Sequence, residues 1–401
     1  MFLLLHRIKL NHINVLKIRK LSIVISIFLY VVNLYGLQLG DNSKKNQYTP
    51  IKVMENVKSV SVDNLYSVII KNDNTLWGTG ILSDKFINSK KTVGTDKFIF
   101  LSKDIESNLK NFCIDKNGTL KSIYSNDGSL LHAKIISVTD NVDKIESRNY
   151  LTAVLKKDKS LWIKGKKLVS IDYQYNYSDP IEELEYVDKD VISMSCANNI
   201  LIYIKKDNSV WAIGDNLDKK LINSFDRVLI KPVQIAKKMK DCFIGDKIYL
   251  ISKKNKLYTI SRGALVIQDS NVKEIQKCFY LKTDGSLYGY GYACYGSLGV
   301  GESNNSKLLP TYVMGNVKKV KGNEYHSLIL TNDNKLYSCG GGRCNFGCNG
   351  DGTNKKRSVP VMIMDDVKDF DISNYHSMVI KNDKSLWAFG LNNIDEYELY
   401  E

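Results

Sequence analysis

The feature that most constrains this chain is a recurring unit whose two clearest copies lie fifty residues apart without a gap. Residues 310–340 read PTYVMGNVKKVKGNEYHSLILTNDNKLYSCG, and residues 360–390 read PVMIMDDVKDFDISNYHSMVIKNDKSLWAFG. Pro310 falls on Pro360, Val317 on Val367, His326 on His376 and Gly340 on Gly390. A third clear copy covers 50–80. Weaker ones cover 141–165, 190–214 and 271–291, and two degenerate ones cover 97–121 and 239–260. The closing aromatic recurs as Trp77, Trp162, Trp211, Tyr258, Tyr288, Tyr337 and Trp387, with Lys121 in its place in the remaining copy. Eight copies at this spacing mark a repeat architecture, in which units stack because none can bury its surface alone.

Within each copy a short β-rich run such as Ser67-Val68-Ile69-Ile70 is followed by Asn-Asp-Asn, Thr-Asp-Gly or Asn-Asp-Lys. These turn residues tolerate the left-handed backbone of tight hairpins. An apolar residue and Trp or Tyr then open a returning strand. Upstream, the Pro-x-x-Val and Val-Lys-x-Val segments supply two more strands, so one repeat is expected to form one four-stranded antiparallel sheet. Such sheets bury both faces and keep only short edges when arranged radially. The fold expected is therefore all-β, a β-propeller of tandem four-stranded blades over 41–401, without long helices.

Two Gly-rich connections, residues 292–301 and 344–352, precede Pro310 and Pro360. The combined run G-Y-x-x-Y-G-x-L-G-x-G, P-x-x-V, H-S-L-x-L and D-G-x-L-Y-x-x-G resembles the repeat of the regulator of chromosome condensation family. The resemblance spans about 50–393, strongly in the last two copies and weakly over 81–140. It implies seven blades, whereas the copy count is eight. Most copies lack the full Gly-rich connection, so trimmed rims are expected there. The family's guanine-nucleotide exchange on a nuclear GTPase is implied only as a remote alternative, because no residue here carries it over. Exported bacterial members of the family, to which this chain is closest in kind, are binding proteins.

The N-terminal segment directs the expectation about location. Residues 1–20 hold Arg7, Lys9, Lys17, Arg19 and Lys20 and no acidic residue, and residues 21–39 are almost purely apolar. A basic stretch followed by an apolar one reads as an export signal or an uncleaved anchor over 1–40. Residues 41–401 are then expected outside the cytoplasm, secreted or held by a single N-terminal membrane anchor. Gly36 and Gly40 are the available small residues for cleavage.

The formal charge of +14 comes mostly from lysines scattered beside Asp and Asn. Arginine, with the planar fork that suits phosphate and base recognition, is scarce, so no nucleic-acid partner is expected. Eight cysteines show no paired framework spacing, and the cluster Cys339, Cys344, Cys348 reads as small-residue substitution, with a disulfide or a metal site as alternatives. His326 and His376 share one repeated position, which points to a structural hydrogen-bonding role. Turn aspartates (Asp73, Asp158, Asp207, Asp284, Asp333, Asp383) read as hairpin formers. No catalytic, metal or cofactor residues are therefore assigned.

The stretch 166–189 departs most from the repeat, with alternating Tyr173, Tyr175 and Tyr177. Tyrosine is enriched at interfaces, so these three, with Arg343 and Phe346 of a Gly-rich connection, are the candidate binding residues. The expected function is a monomeric interaction module that binds a protein or a surface polymer through rim loops. An enzyme with its site in the central channel is the alternative.

Overall fold

The computed structural model describes residues 38–82, 94–125, 129–148, 151–165, 183–197, 199–216, 219, 221–245, 247–291, 295–301, 307–341 and 346–392. Eight four-stranded antiparallel sheets account for their thirty-two strands. Blade 1 runs in the order β2 (Val57–Val62), β3 (Tyr66–Lys71), β4 (Leu76–Gly80) and β5 (Thr95–Ser102). Blades 2 to 7 repeat that order. Their first strands are β6 (Ile105–Leu109), β10 (Val142–Arg148), β14 (Val191–Ala197), β18 (Met239–Ile244), β22 (Val272–Gln276) and β26 (Val317–Gly322). First strands of most adjacent blades contact one another, so they form the inner wall of the ring.

Blade 8 closes the ring. Its strands β30 (Val367–Ile372), β31 (His376–Lys381) and β32 (Leu386–Gly390) come from the C-terminal copy, and its outermost strand is β1 (Gln47–Met54). The blade count is thus eight, not the seven implied by the family resemblance. One further expectation needs correction, namely that each sequence repeat forms one sheet. The Pro-x-x-Val strand of every copy belongs to the preceding blade, as β29 (Arg357–Met364) does to blade 7 and β1 does to blade 8. The frame of a tandem repeat is arbitrary in sequence, and only hydrogen-bonded pairing shows that blade and repeat are offset by one strand.

The clasp is reinforced ahead of β1. Leu39 is fully buried, its backbone N–H donates to Asn392 Oδ1 (3.1 Å), and Gln38 Nε2 donates to the carbonyl of Leu391 (2.8 Å). Gln38 and Leu39 are thus part of the propeller.

Apolar clusters fill the spaces between blades. One combines Ile69 of blade 1 with Met378, Ile380 and Leu386 of blade 8, around Val57 and Leu39. Burying such aliphatic side chains contributes about 1.5–3 kcal/mol each. The turn signature has an equally local cause. Asp383 Oδ1 accepts from the backbone N–H (2.8 Å) and the hydroxyl of Ser385, and that hydroxyl accepts from the Trp387 indole (2.8 Å). The Asp–hydroxyl–Trp chain recurs at Asp73–Thr75–Trp77, Asp158–Ser160–Trp162 and Asp207–Ser209–Trp211. In the copy without the aromatic, Lys121 instead forms an ion pair with Asp115 (2.8 Å). Gly340 ends the third strand of blade 7 at φ +105°, and a Cβ there would lie 2.4 Å from the carbonyl oxygen of Tyr325. Only glycine fits that close approach.

Candidate functional site

Two regions can present chemistry to a ligand: the channel down the ring axis and the loops of one rim. In the inner strands, residues two and four places after the leading Val, Ile or Met turn toward the axis, while the residue between them packs among the blades. The channel ring at the fourth place holds Ser61, Glu146, Ser195 and Asp371, and each accepts a backbone N–H from the neighbouring blade. Lys110 donates to Ser61 (2.9 Å), Cys196 to Glu146 (3.1 Å), Ile244 to Ser195 (3.2 Å) and Val62 to Asp371 (2.9 Å). The polar ring is thus a stitch from blade to blade.

The two halves of the channel differ in charge arrangement. Across blades 7 and 8, Lys319 pairs with Asp369, and Lys321 with Asp371 at 2.6 Å. Along blades 2 to 6 a cavity of about 600 Å³ opens, lined by Asp143, Lys144, Glu146, Asp241 and Glu274 together with apolar Phe243 and Ile275. Burial raises the carboxyls of Glu146 and Asp241 above the usual carboxylate range, the costly charged form being desolvated. Asp241 accepts from the Ser193 hydroxyl (3.2 Å), and Arg148 reaches the carbonyl of Ile244 (2.7 Å) while lying over the Phe243 ring.

The two buried histidines are committed to contacts between blades. His376 Nε2 is hydrogen-bonded to Ser67 Oγ (2.8 Å) and its Nδ1 to Ser373 Oγ (2.8 Å), while His326 Nε2 meets Ser377 Oγ (3.0 Å). Both rings are completely buried, and burial lowers their pKa values to about 4 for His326 and about 3 for His376. They hold blade 7 to blade 8 and blade 8 to blade 1, in the structural role expected from their repeated position. Cys113, Cys196 and Cys339 are pushed up to about 12 by burial, which leaves each an inert thiol. Among the described residues Cys339 is a free thiol and no acidic, histidine or cysteine cluster could hold a metal ion. Cys344 lies outside the described residues.

The rim was the surface favoured by sequence. Tyr173, Tyr175, Tyr177 and Arg343 lie outside the described residues. Phe346 is described and is buried, 5 % exposed, in the turn before Gly347. An exposed aromatic that sequence reasoning missed lies in the connection between β16 (Val210–Asp215) and β17 (Val228–Ala236) of blade 4. Phe225 there is 95 % exposed, with the Lys219 ammonium 4.5 Å from its ring centroid. Its loop is held from beneath by Asn216, whose Oδ1 accepts from Leu221 (2.9 Å) and Ile222 (3.1 Å), and whose Nδ2 donates to the Asp226 carbonyl (2.8 Å). The only hint in the sequence was a non-repeating Asn-to-Arg loop; nothing in its local pattern marks Phe225.

The family description "Regulator of chromosome condensation (RCC1) repeat" matches residues 317–345, the inner strands and Gly-rich start of blade 7's connection. Residues 317–345 thus match one RCC1 repeat. Its propeller is similar to Prp20p of Saccharomyces cerevisiae, at 14 % identity over 85 % of this chain and 83 % of that one, with a TM-score of 0.52. It is also similar to human WBSCR16, at 12 % identity over 86 % of this chain and 88 % of that one, with a TM-score of 0.50. At such identities the likeness is one of fold. For Prp20p, binding to Gsp1p and histones has been described.

Proposed function

We propose that this RCC1-repeat propeller is a protein-binding module displayed outside the cytoplasm, with the rim that carries the third-to-fourth-strand connections as its contact face. The observation that carries this reading is Phe225, a nearly fully exposed aromatic on a loop pre-formed by the buried Asn216. Rigid exposed aromatics are the usual anchors of protein interfaces, and a pre-formed loop loses little entropy on binding. On the sequence argument alone the proposal extends to Tyr173, Tyr175 and Tyr177, which lie outside the described residues. The location rests on the basic and apolar segments of residues 1–40. Among the described residues no helix is long and apolar enough to cross a membrane. Because Leu39 is buried in the clasp, processing that keeps the ring intact falls before Gln38, with Gly36 the small residue available.

The test pairs two measurements. A phosphatase that is active only outside the cytoplasm, fused after residue 40, reports export. Capture of envelope and extracellular proteins by the native chain and by Phe225→Ser then follows, on folded material. A saturable partner retained by the native chain and lost by Phe225→Ser supports the reading, and equal retention by both removes the rim face from it. One observation favours a second reading, a site in the channel: Glu146, Asp241 and Glu274 converge on one 600 Å³ cavity. A small-molecule turnover abolished by Asp241→Asn with an unchanged fold would select it.

A further inference from the structure

Each blade of an open sheet ends in an outer strand whose unpaired N–H and C=O groups invite another chain, so proteins guard such edges. Here four of the five prolines sit in outer strands: Pro50 in β1, Pro232 in β17, Pro310 in β25 (Lys307–Met314) and Pro360 in β29. All four occupy the irregular stretch where the register to the third strand shifts, which interrupts the edge. The outer strand of blade 1, β5, carries Asp96 and Lys97 and is bridged by Asp41, and β13 (Glu185–Asp188) is only four residues long. β9 (Lys134–Thr139) opens on a lysine and mixes Ile with Ser and Thr.

Blade 5 departs from this pattern. Its outer strand β21 (Ala264–Asp269) reads ALVIQD, with no proline and no charge before its last residue. Leu265, Val266 and Ile267 are 40 %, 43 % and 58 % exposed. A two-residue turn, Arg262 (φ 49°) and Gly263 (φ 76°), joins it to β20 (Leu257–Ser261). In such a hairpin the closing pair, Ser261 and Ala264, exchanges both hydrogen bonds, and the pattern then alternates. The backbone groups of Ala264 and Val266 thus face β20, and those of Leu265 and Ile267 face outward.

The edge adjoins the candidate rim. A Cβ on Gly263 would lie 2.9 Å from the backbone nitrogen of Asn223, so the tip of this hairpin lies against the loop that carries Phe225. That neighbourhood is basic, with Arg262 in the turn and Lys219 and Arg227 in the loop. Of its described acids, Asp215 and Asp226 stand at the two ends of the same loop, and Asp269 already accepts from the Tyr280 hydroxyl and the Lys282 ammonium. A second copy of this chain would set the same cations face to face, on a background of +14. A strand with acidic flanks would meet them favourably.

We propose that β21 is an acceptor edge for an extended apolar strand with acidic flanks, supplied by a partner protein, which makes blade 5 five-stranded. Backbone hydrogen bonds from Leu265 and Ile267 give affinity, and the flanking charges give direction. The proposal rests on the protein-binding reading above and assigns it a partner chemistry.

The probe is a fluorescein-labelled peptide of alternating Val and Thr with two Glu at each end, followed by fluorescence polarisation with the full propeller chain. Saturable binding is expected, weakened at least tenfold by Ile267→Pro, which removes an outward N–H and leaves the pairing to β20 in place. Leu265→Lys, which changes no backbone group, is expected to weaken it similarly, with the unfolding midpoint of both variants near that of the native chain. A peptide with Lys in place of Glu is expected to bind at least fivefold less tightly. No saturable binding, equal binding by both variants, or equal binding of the Lys-flanked peptide overturns the proposal. So does a concentration-dependent dimer in sedimentation equilibrium that Ile267→Pro abolishes, since the edge then serves a second copy. Loss of partner capture on Phe225→Ser, with the edge peptide inert, leaves the rim reading standing and removes only this inference.

Discussion

Blades 3 and 8 place a carboxylate at the same position of the inner strand, Glu146 in one and Asp371 in the other, and each accepts a backbone N–H from the following blade. Around Asp371 the repeat is best kept: Lys321 neutralises it, Lys319 and Asp369 pair beside it, and two buried histidines stitch the blades behind it. Around Glu146 the repeat is weaker, burial raises its pKa, and the channel opens into a cavity. Edges follow the same division, since blades 7 and 8 are interrupted by Pro360 and Pro50 while blade 5 exposes an unguarded strand. Close adherence to the repeat thus accompanies closure, and divergence accompanies the surfaces on which ligand or partner can act.

The comparison breaks most sharply at the clasp. Removing residues 38–54 takes away Leu39, Gln38 and the outer strand of blade 8, so the cooperative thermal transition followed by circular dichroism is expected to be lost. A surviving transition near the native midpoint would mean that the well-kept half is not what holds the ring. The next largest effect is on acid stability. The folded pKa values of His326 and His376, about 4 and about 3, lie below the ordinary 6.5, so the unfolded chain binds their protons first. The histidine contribution is therefore complete above pH 6.5 and is lost as pH falls toward 4. With about 1.4 kcal/mol per unit of pKa difference, several kcal/mol disappear across that window. Urea unfolding at pH 7 and pH 5 measures this loss, and the double variant His326→Gln, His376→Gln is expected to flatten it.

Smaller effects separate the two carboxylates directly. Asp371→Asn leaves Lys321 without its partner and is expected to cost about 1–3 kcal/mol in urea unfolding at pH 7. Glu146→Gln keeps the acceptor for Cys196 and removes a desolvated charge, so its effect at pH 7 is expected near zero or stabilising. Its sign with pH is opposite to that of the histidines: a raised folded pKa means the native Glu146 gains stability as pH falls through that value, and the Gln variant loses this gain. Equal costs for the two substitutions would erase the distinction between the halves.

Sequence periodicity revealed the eight blades because Trp77, Trp387 and their counterparts are bound to a turn by local chemistry, an aspartate and a hydroxyl two residues apart. The same locality made the histidines readable, since one position was filled twice. The one-strand offset between repeat and blade was not readable, because β1 and β32 pair across most of the chain's length. Phe225 was invisible for a related reason: its exposure comes from Asn216 holding a loop that matches no other copy. The candidate binding residues lie where the chain leaves the repeat or in a Gly-rich connection. Four of the five lie outside the described residues, and the fifth, Phe346, is buried.

The offset also bears on how such rings change over generations. Because each copy carries the outer strand of the blade before it, a tandem duplication inserts a link already hooked to both neighbours. A deletion likewise removes one blade's worth of strands and leaves no sheet short of a member. Ring size is then a matter of how many links the gene spells out, with the terminal clasp joining whatever number results, and an eight-membered ring needs no new kind of part.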